Sequence, residues 1–263
     1  MRHVTSAKLA TALSIALTLA TTAAQTAPAR KVPPVPRTSD GKPDLSGVWQ
    51  PASDKVGTWE EANQGVGVPD SGQRPVKTGG PPPYQPWAAQ KVLESYKIRL
   101  IDNPVARCIP QLDLGGGPLY PVMFVQTPTL VVILVESRHV FRIVPLNTKH
   151  PDDLDPGYLG DSVGRWEGDT LVIDITGFKE QTVGSEIHSD AWHIVERYTR
   201  ADYNTINYEA TLEDPKAYTK PYTIHSKFML RPGTRIQEYV CEENNQDPAH
   251  FEKLMKEDLV RRK

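Results

Sequence analysis

Between positions 188 and 193 the chain groups His188, Asp190 and His193, its densest set of side chains able to move a proton near neutral pH. A histidine whose ring is oriented by a carboxylate can act as a general base, and in an extended or turn segment Asp190 lies close enough to His188 to do this. The same residues suit zinc only with a third ligand, such as His225 or Asp174, and their spacing does not supply one. Loop or surface structure is the plainer reading of the group.

The stretch that follows, Trp192 to Arg200, alternates. One face carries His193, Val195, Arg197 and Thr199, and the other carries Trp192, Ile194, Glu196, Tyr198 and Arg200. Each face mixes apolar bodies with ionisable heads, as expected of a strand that lines a small-molecule pocket. The alternative is one solvated face, with Glu196 paired to a cross-strand arginine. Asp174 sits in the otherwise apolar run Leu171 to Ile175. Such a carboxylate needs a partner or a ligand, and Arg142 is one candidate across the sheet. Arg142 or Arg197 would then stabilise negative charge developing on a ring-bearing substrate held by Trp and Tyr side chains. Trp59, in a loop rich in Gly and Pro, is placed to close over such a pocket. The nucleophile-elbow, P-loop, dinucleotide-fingerprint and paired-histidine zinc motifs are absent, which disfavours nucleotide cofactors and leaves no cofactor implied.

The elements that must position these side chains are mostly strands. Nine stretches read as strands: Val122 to Gln126, Leu130 to Glu136, His139 to Val144, Arg165 to Glu167, Thr170 to Thr176, Trp192 to Arg200, Ile206 to Leu212, Tyr222 to Arg231 and Arg235 to Cys241. Most junctions are short and polar, as between antiparallel neighbours. With no helical crossover between them, they should form a meander that curls into a lipocalin-like barrel, the alternative being a β-sandwich. One amphipathic helix is expected from Pro86 to Leu100, after a long loop at about 57–83, and a short charged one from Pro248 to Lys263. The barrel domain is expected to run from 44 to 263, behind a proline-rich lead-in at 25–43.

Composition narrows the classes. The 263 residues carry 30 basic and 32 acidic side chains, a formal charge of -2, without the basic surplus a nucleic-acid partner requires. The 24 prolines argue against an all-helical fold. Arg2 and Lys8, the apolar run from Leu9 to Ala20 and the small residues Thr22, Ala23 and Ala24 form the pattern of a cleavable signal peptide, expected to end at residue 24. No cysteine follows that point to carry a lipid, so the expected product is a periplasmic or secreted protein without a membrane segment. In an oxidising compartment the two cysteines, Cys108 and Cys241, are expected to pair, the alternative being two buried thiols. A bridge closing so long a loop would stabilise the fold by roughly 4 to 5 kcal/mol.

Pro43 to Trp49 (PDLSGVW), Cys108 to Pro110, Gly160 to Asp174 (GDSVGRWEGDTLVID), His188 to Asp190, Glu196 with Arg197, Asp214 with Pro215, and Cys241 to Asn244 together resemble a large family of exported bacterial proteins. That resemblance implies a calycin-like fold and export; it transfers no catalytic residue. Two functions therefore stand side by side. One is a cofactor-free lyase, hydratase or isomerase working by acid–base chemistry in the barrel lumen. The other is a carrier for a small apolar or aromatic ligand, and an envelope-associated structural role stands behind both.

Overall fold

The computed structural model describes residues 33–51, 81–98, 102–112, 114, 120–184 and 186–240, with 249, 252, 253 and 256. These belong to a compact unit running from Val32 to Lys263. The expected signal peptide and Trp59 lie outside the described residues, as does most of the 57–83 loop.

The chain is mainly β. Nine strands, β1 (Gly47–Pro51), β2 (Val122–Gln126), β3 (Leu130–Val135), β4 (Val140–Pro145), β5 (Asp161–Glu167), β6 (Thr170–Thr176), β7 (His193–Arg200), β8 (Thr205–Glu213) and β9 (Tyr222–Leu230), form one sheet. Their order is β4-β3-β2-β1-β9-β8-β7-β6-β5, and every ladder is antiparallel. A meander of nine strands brings its first and last edges together running the same way. The seam between β4 and β5 is accordingly a parallel bridge, Leu146 to Gly164, with the Asn147 N–H donating to the Gly164 carbonyl at 2.7 Å. Gly164 has a steric reason to be glycine. A Cβ there would lie 2.8 Å from Leu146 Cδ2 and 2.9 Å from Val144 Cγ1, so any side chain would push the seam apart.

Eight of the nine expected strands are present. The ninth expected strand, Arg235 to Cys241, is corrected: residues 235–240 form no ladder. Their backbone is instead held by side chains at the β3–β4 corner, Gln237 N–H donating to Glu136 at 2.7 Å and Tyr239 N–H to His139 Nε2 at 2.8 Å. The ninth strand of the barrel is β1, where Trp49 is fully buried and donates its indole N–H to the Leu45 carbonyl. Helix α1 (Pro86–Lys97) ends near the expected place. Residues 249, 252, 253 and 256 are helical, in the stretch where a C-terminal helix was expected.

The interior is aromatic and apolar. Trp49, Phe124, Tyr198, Tyr208 and Phe228 pack ring on ring at centroid distances of 5.0 to 6.3 Å, apart from Trp49, which lies against Arg200. Helix α1 and the 181–192 segment lie at the end of the barrel where β7 begins and β8 ends. Ser95 of α1 accepts from the Gly184 N–H, and Trp87 donates to the Lys216 carbonyl. No helix is long and apolar enough to cross a membrane among the described residues.

Candidate functional site

Alternation along β7 splits its side chains as the sequence indicates, and burial shows which set points inward: Ile194, Glu196, Tyr198 and Arg200. His193 and Arg197 stand on the outer wall. This corrects the expectation that His193 works inside the lumen. Two groups of polar side chains result, one in the core and one at the outer rim.

In the core, Arg142 of β4 donates to Glu196 at 2.7 Å, and the Tyr198 and Tyr208 hydroxyls donate to the other Glu196 oxygen at 3.2 and 2.9 Å. Glu196 is 0% exposed. Burial opposes the Arg142 charge, but the adjacent Glu196 carboxylate more than offsets it and raises the guanidinium pKa. Burial likewise pushes the Tyr208 phenol well above its ordinary value. The expected Arg142–Asp174 pair does not form, because β6 turns Asp174 to the opposite face of the sheet from Arg142. Arg142 is thereby committed to Glu196 and sits where no substrate at the outer rim can reach it.

At the outer rim, antiparallel register brings Asp161 and Asp174 into diagonal positions on one face, since Asp161 pairs with Thr176 and Asp174 with Val163. Asp174 pairs with Val195, which sets His193 on its other diagonal, and His193 stands directly opposite Glu213. His150, from the loop that leads from the seam into β5, completes the row. Its Nδ1 lies 2.5 Å from Asp161, its Nε2 lies 3.0 Å from Asp174 Oδ1, and Asp174 Oδ2 lies 3.1 Å from His193 Nε2. His193 Nδ1 is 4.0 Å from Glu213. A ring with a carboxylate on both nitrogens is bound best as an imidazolium. Burial works against that charge, and the hydrogen bonds to Asp161 and Asp174 outweigh it, so the His150 pKa is raised. In His193, Nε2 is the nitrogen that donates to Asp174, and Nδ1 faces Glu213.

Glu213 also lines a half-open cleft of about 330 Å³, together with Gln85, Asp214, Tyr218 and Lys220. Asp214 is spent on structure: it accepts from the Ser189 N–H and hydroxyl at 2.6 and 2.7 Å and from the Lys216 and Ala217 N–H groups. Behind the cleft, Tyr218 packs edge-on against Tyr84 and Tyr222. Burial raises all three phenols, Tyr84 to about 12, so they present neutral hydroxyls and ring edges.

The other expected site residues are dispersed. His188 is buried and stacked on Trp192 at 4.2 Å, with its Nδ1 3.3 Å from the Ser189 carbonyl oxygen, and burial lowers its pKa. Asp190 does not orient it, a second correction: the Asp190 carboxylate points outward and binds Lys216 Nζ at 2.6 Å. Arg197 is held on the outer wall by Glu167 at 2.5 Å. His225 pairs across the sheet with Glu209, 3.5 Å away on the same wall. Among the described residues no three His, Cys, Asp or Glu side chains are arranged to hold a metal ion. Residues 161, 150 and 213 are the ones that sequence reasoning passes over. Asp161 and Glu213 are placed by pairing register and His150 by the loop that leads into β5, not by any local spacing.

No family model matches the chain, and no curated protein matches it.

Proposed function

We propose that the protein is an acid–base enzyme acting on a small molecule at the outer rim of the barrel, with His193 as the proton-moving group and Asp174 as the residue that orients it. The observation that carries this reading is the Asp174 bridge, one carboxylate holding His193 at 3.1 Å and the His150 ring at 3.0 Å. An imidazole oriented by a carboxylate is the minimal general base, and one such group accelerates a reaction by roughly 10² to 10⁴; here the second nitrogen of His193 faces Glu213 at 4.0 Å. His150, whose pKa is raised against burial by its bonds to Asp161 and Asp174, faces the other Asp174 oxygen. The cleft beside Glu213 offers a substrate a ring edge at Tyr218, an amide at Gln85 and an ammonium at Lys220. A proton transfer that needs no redox partner fits a lyase, hydratase or isomerase. The lumen reading loses support, because the charged groups that point inward from β4 and β7 are already engaged: Arg142 and Glu196 with each other, and Arg200 with the carbonyl oxygens of Asp44, Asp202 and Tyr203.

Export fits this chemistry as part of the proposal. It rests on the N-terminal sequence pattern, with a bridge from Cys108 to Cys241 in the oxidising compartment. Cys108 closes the short turn Pro104–Arg107 in a left-handed conformation, and Cys241 lies outside the described residues.

The test is a thermal-shift screen of the mature protein against ring-bearing acids, phenols and small hydroxy or keto acids, each stabilising compound then being followed by mass spectrometry. A ligand at about 100 times its Kd adds roughly 2.7 kcal/mol. Conversion by the wild type supports the enzyme; stabilisation without conversion replaces it with a carrier.

A further inference from the structure

Asp174 is a carboxylate shared between two rings. The positions directly opposite it in the sheet, Val163 of β5 and Val195 of β7, bring it no charge. Its oxygens meet instead the diagonal His193, 3.1 Å from Oδ2, and His150 from the loop before β5, 3.0 Å from Oδ1. His150 has a second carboxylate at its other nitrogen, Asp161 at 2.5 Å. Three such contacts in one row need three protons. An imidazole carries at most two, so the row is complete only when His150 holds both of its own and His193 supplies the third at Nε2. A neutral His150 turns a lone pair toward one of its carboxylates. The four side chains are 22 to 36% exposed, shielded enough for their charges to act on one another and open enough to exchange protons with water.

With His193 as the proton-moving group, the reading on which this rests, we infer that Asp161 and His150 are positioning residues of the rim site: through Asp174 they set the pH at which His193 takes up a proton, and the two histidines titrate as one coupled unit. The charged groups that face the two rings are Asp161 from β5, Asp174 from β6 and Glu213 from β8, the last 4.0 Å from His193 Nδ1. All are acidic. A proton on His150 therefore places the one positive charge of the row across Asp174 from His193, where it opposes a second proton on His193. Asp161 keeps that charge in place: its hydrogen bond and its charge, with those of Asp174, hold the His150 pKa above its ordinary value despite burial. Without the His150 charge, His193 binds its proton at higher pH.

Nuclear magnetic resonance titration of the imidazole ring protons tests this without any substrate, in the wild type, in His150→Gln and in Asp161→Asn, with His225 on the outer wall as the internal reference. The His193 midpoint should rise by about half a pH unit or more in His150→Gln, and the His150 midpoint should fall in Asp161→Asn, while His225, paired with Glu209, keeps its midpoint in both. A His193 midpoint that does not move in His150→Gln overturns the inference. So does one that moves only together with His225, since that marks a general rearrangement and not the loss of one charge. An unchanged His150 midpoint in Asp161→Asn, the variant that keeps the ring in place, overturns it as well. The acid–base reading fails separately, on turnover: if His193→Gln converts substrate undiminished, that reading falls while the coupling seen by resonance stands.

Discussion

Removing the Glu196 carboxylate should be among the most damaging single changes to this barrel. Glu196→Ala leaves the buried Arg142 cation without its counter-charge and the Tyr198 and Tyr208 hydroxyls without the acceptor they share. Breaking one side of a buried ion pair costs about 3–5 kcal/mol. The added loss of two buried hydroxyl bonds places this variant toward the upper end of that range. At about 2–4 °C per kcal/mol for a domain of this size, the midpoint should fall by roughly 8–20 °C. Urea unfolding at pH 7, followed by tryptophan fluorescence, measures the same quantity. The informative partner is the double variant Arg142→Met with Glu196→Leu, which removes both charges and should recover the ion-pair part of the loss, while the Tyr198 and Tyr208 hydroxyls still lack the Glu196 acceptor. If Glu196→Ala costs less than about 1 kcal/mol, or the double variant is as unstable as the single one, the pair is not the buried structural lock described above, and the lumen returns as a candidate site.

Further outcomes follow from the seam, the rim and the cysteines. Gly164→Val, which drives a side chain into Leu146 and Val144, should destabilise by about 1–3 kcal/mol in the same urea assay. The raised pKa of His150 makes its two carboxylate bonds a stabilising contribution present below about pH 6.5 and lost as pH rises through its folded value; His150→Gln should flatten that part of the stability–pH curve. His188 has the opposite sign. Its lowered pKa favours the folded state at higher pH, and that advantage is lost as pH falls below the ordinary histidine value, which urea midpoints of His188→Asn across the acid range would check. Asp190→Asn, which touches only the surface contact with Lys216, should leave both stability and turnover unchanged. Intact mass spectrometry without reductant should find the protein two hydrogens lighter than after reduction, from the proposed Cys108–Cys241 bridge.

Much of the architecture is written in local pattern. Alternating Val, Ile, Tyr and Thr runs mark β2 to β9, and short polar junctions mark their antiparallel order, because side chains in a half-buried strand repeat every second residue. Strand β1 is less legible: Gly47, Val48 and Trp49 are too few residues for a period to show, and the ladders to β2 and β9 define it. Arg235 to Val240 has the composition of a strand but joins no ladder; the Glu136 and His139 side chains take the Gln237 and Tyr239 N–H groups instead. At the site, the two faces of β7 are legible, whereas inward and outward are not, since a shift of one residue exchanges them. Asp174 announces itself as a carboxylate in need of a partner, but its partners, His150 and His193, lie 24 and 19 positions away; register brings His193 to it, and the loop before β5 brings His150. Asp190, adjacent in sequence to the histidine group, is drawn off by Lys216 instead.

The most direct measurement is turnover of the compound found in the stabilisation screen, by wild type and by His193→Gln, with His225→Gln as the outer-wall control. If the Asp174–His193 pair moves the proton, His193→Gln loses roughly 10² to 10⁴ in kcat while still binding the compound, and His225→Gln keeps wild-type turnover. Undiminished turnover in His193→Gln would contradict the assignment and remove the rim site as the seat of the chemistry.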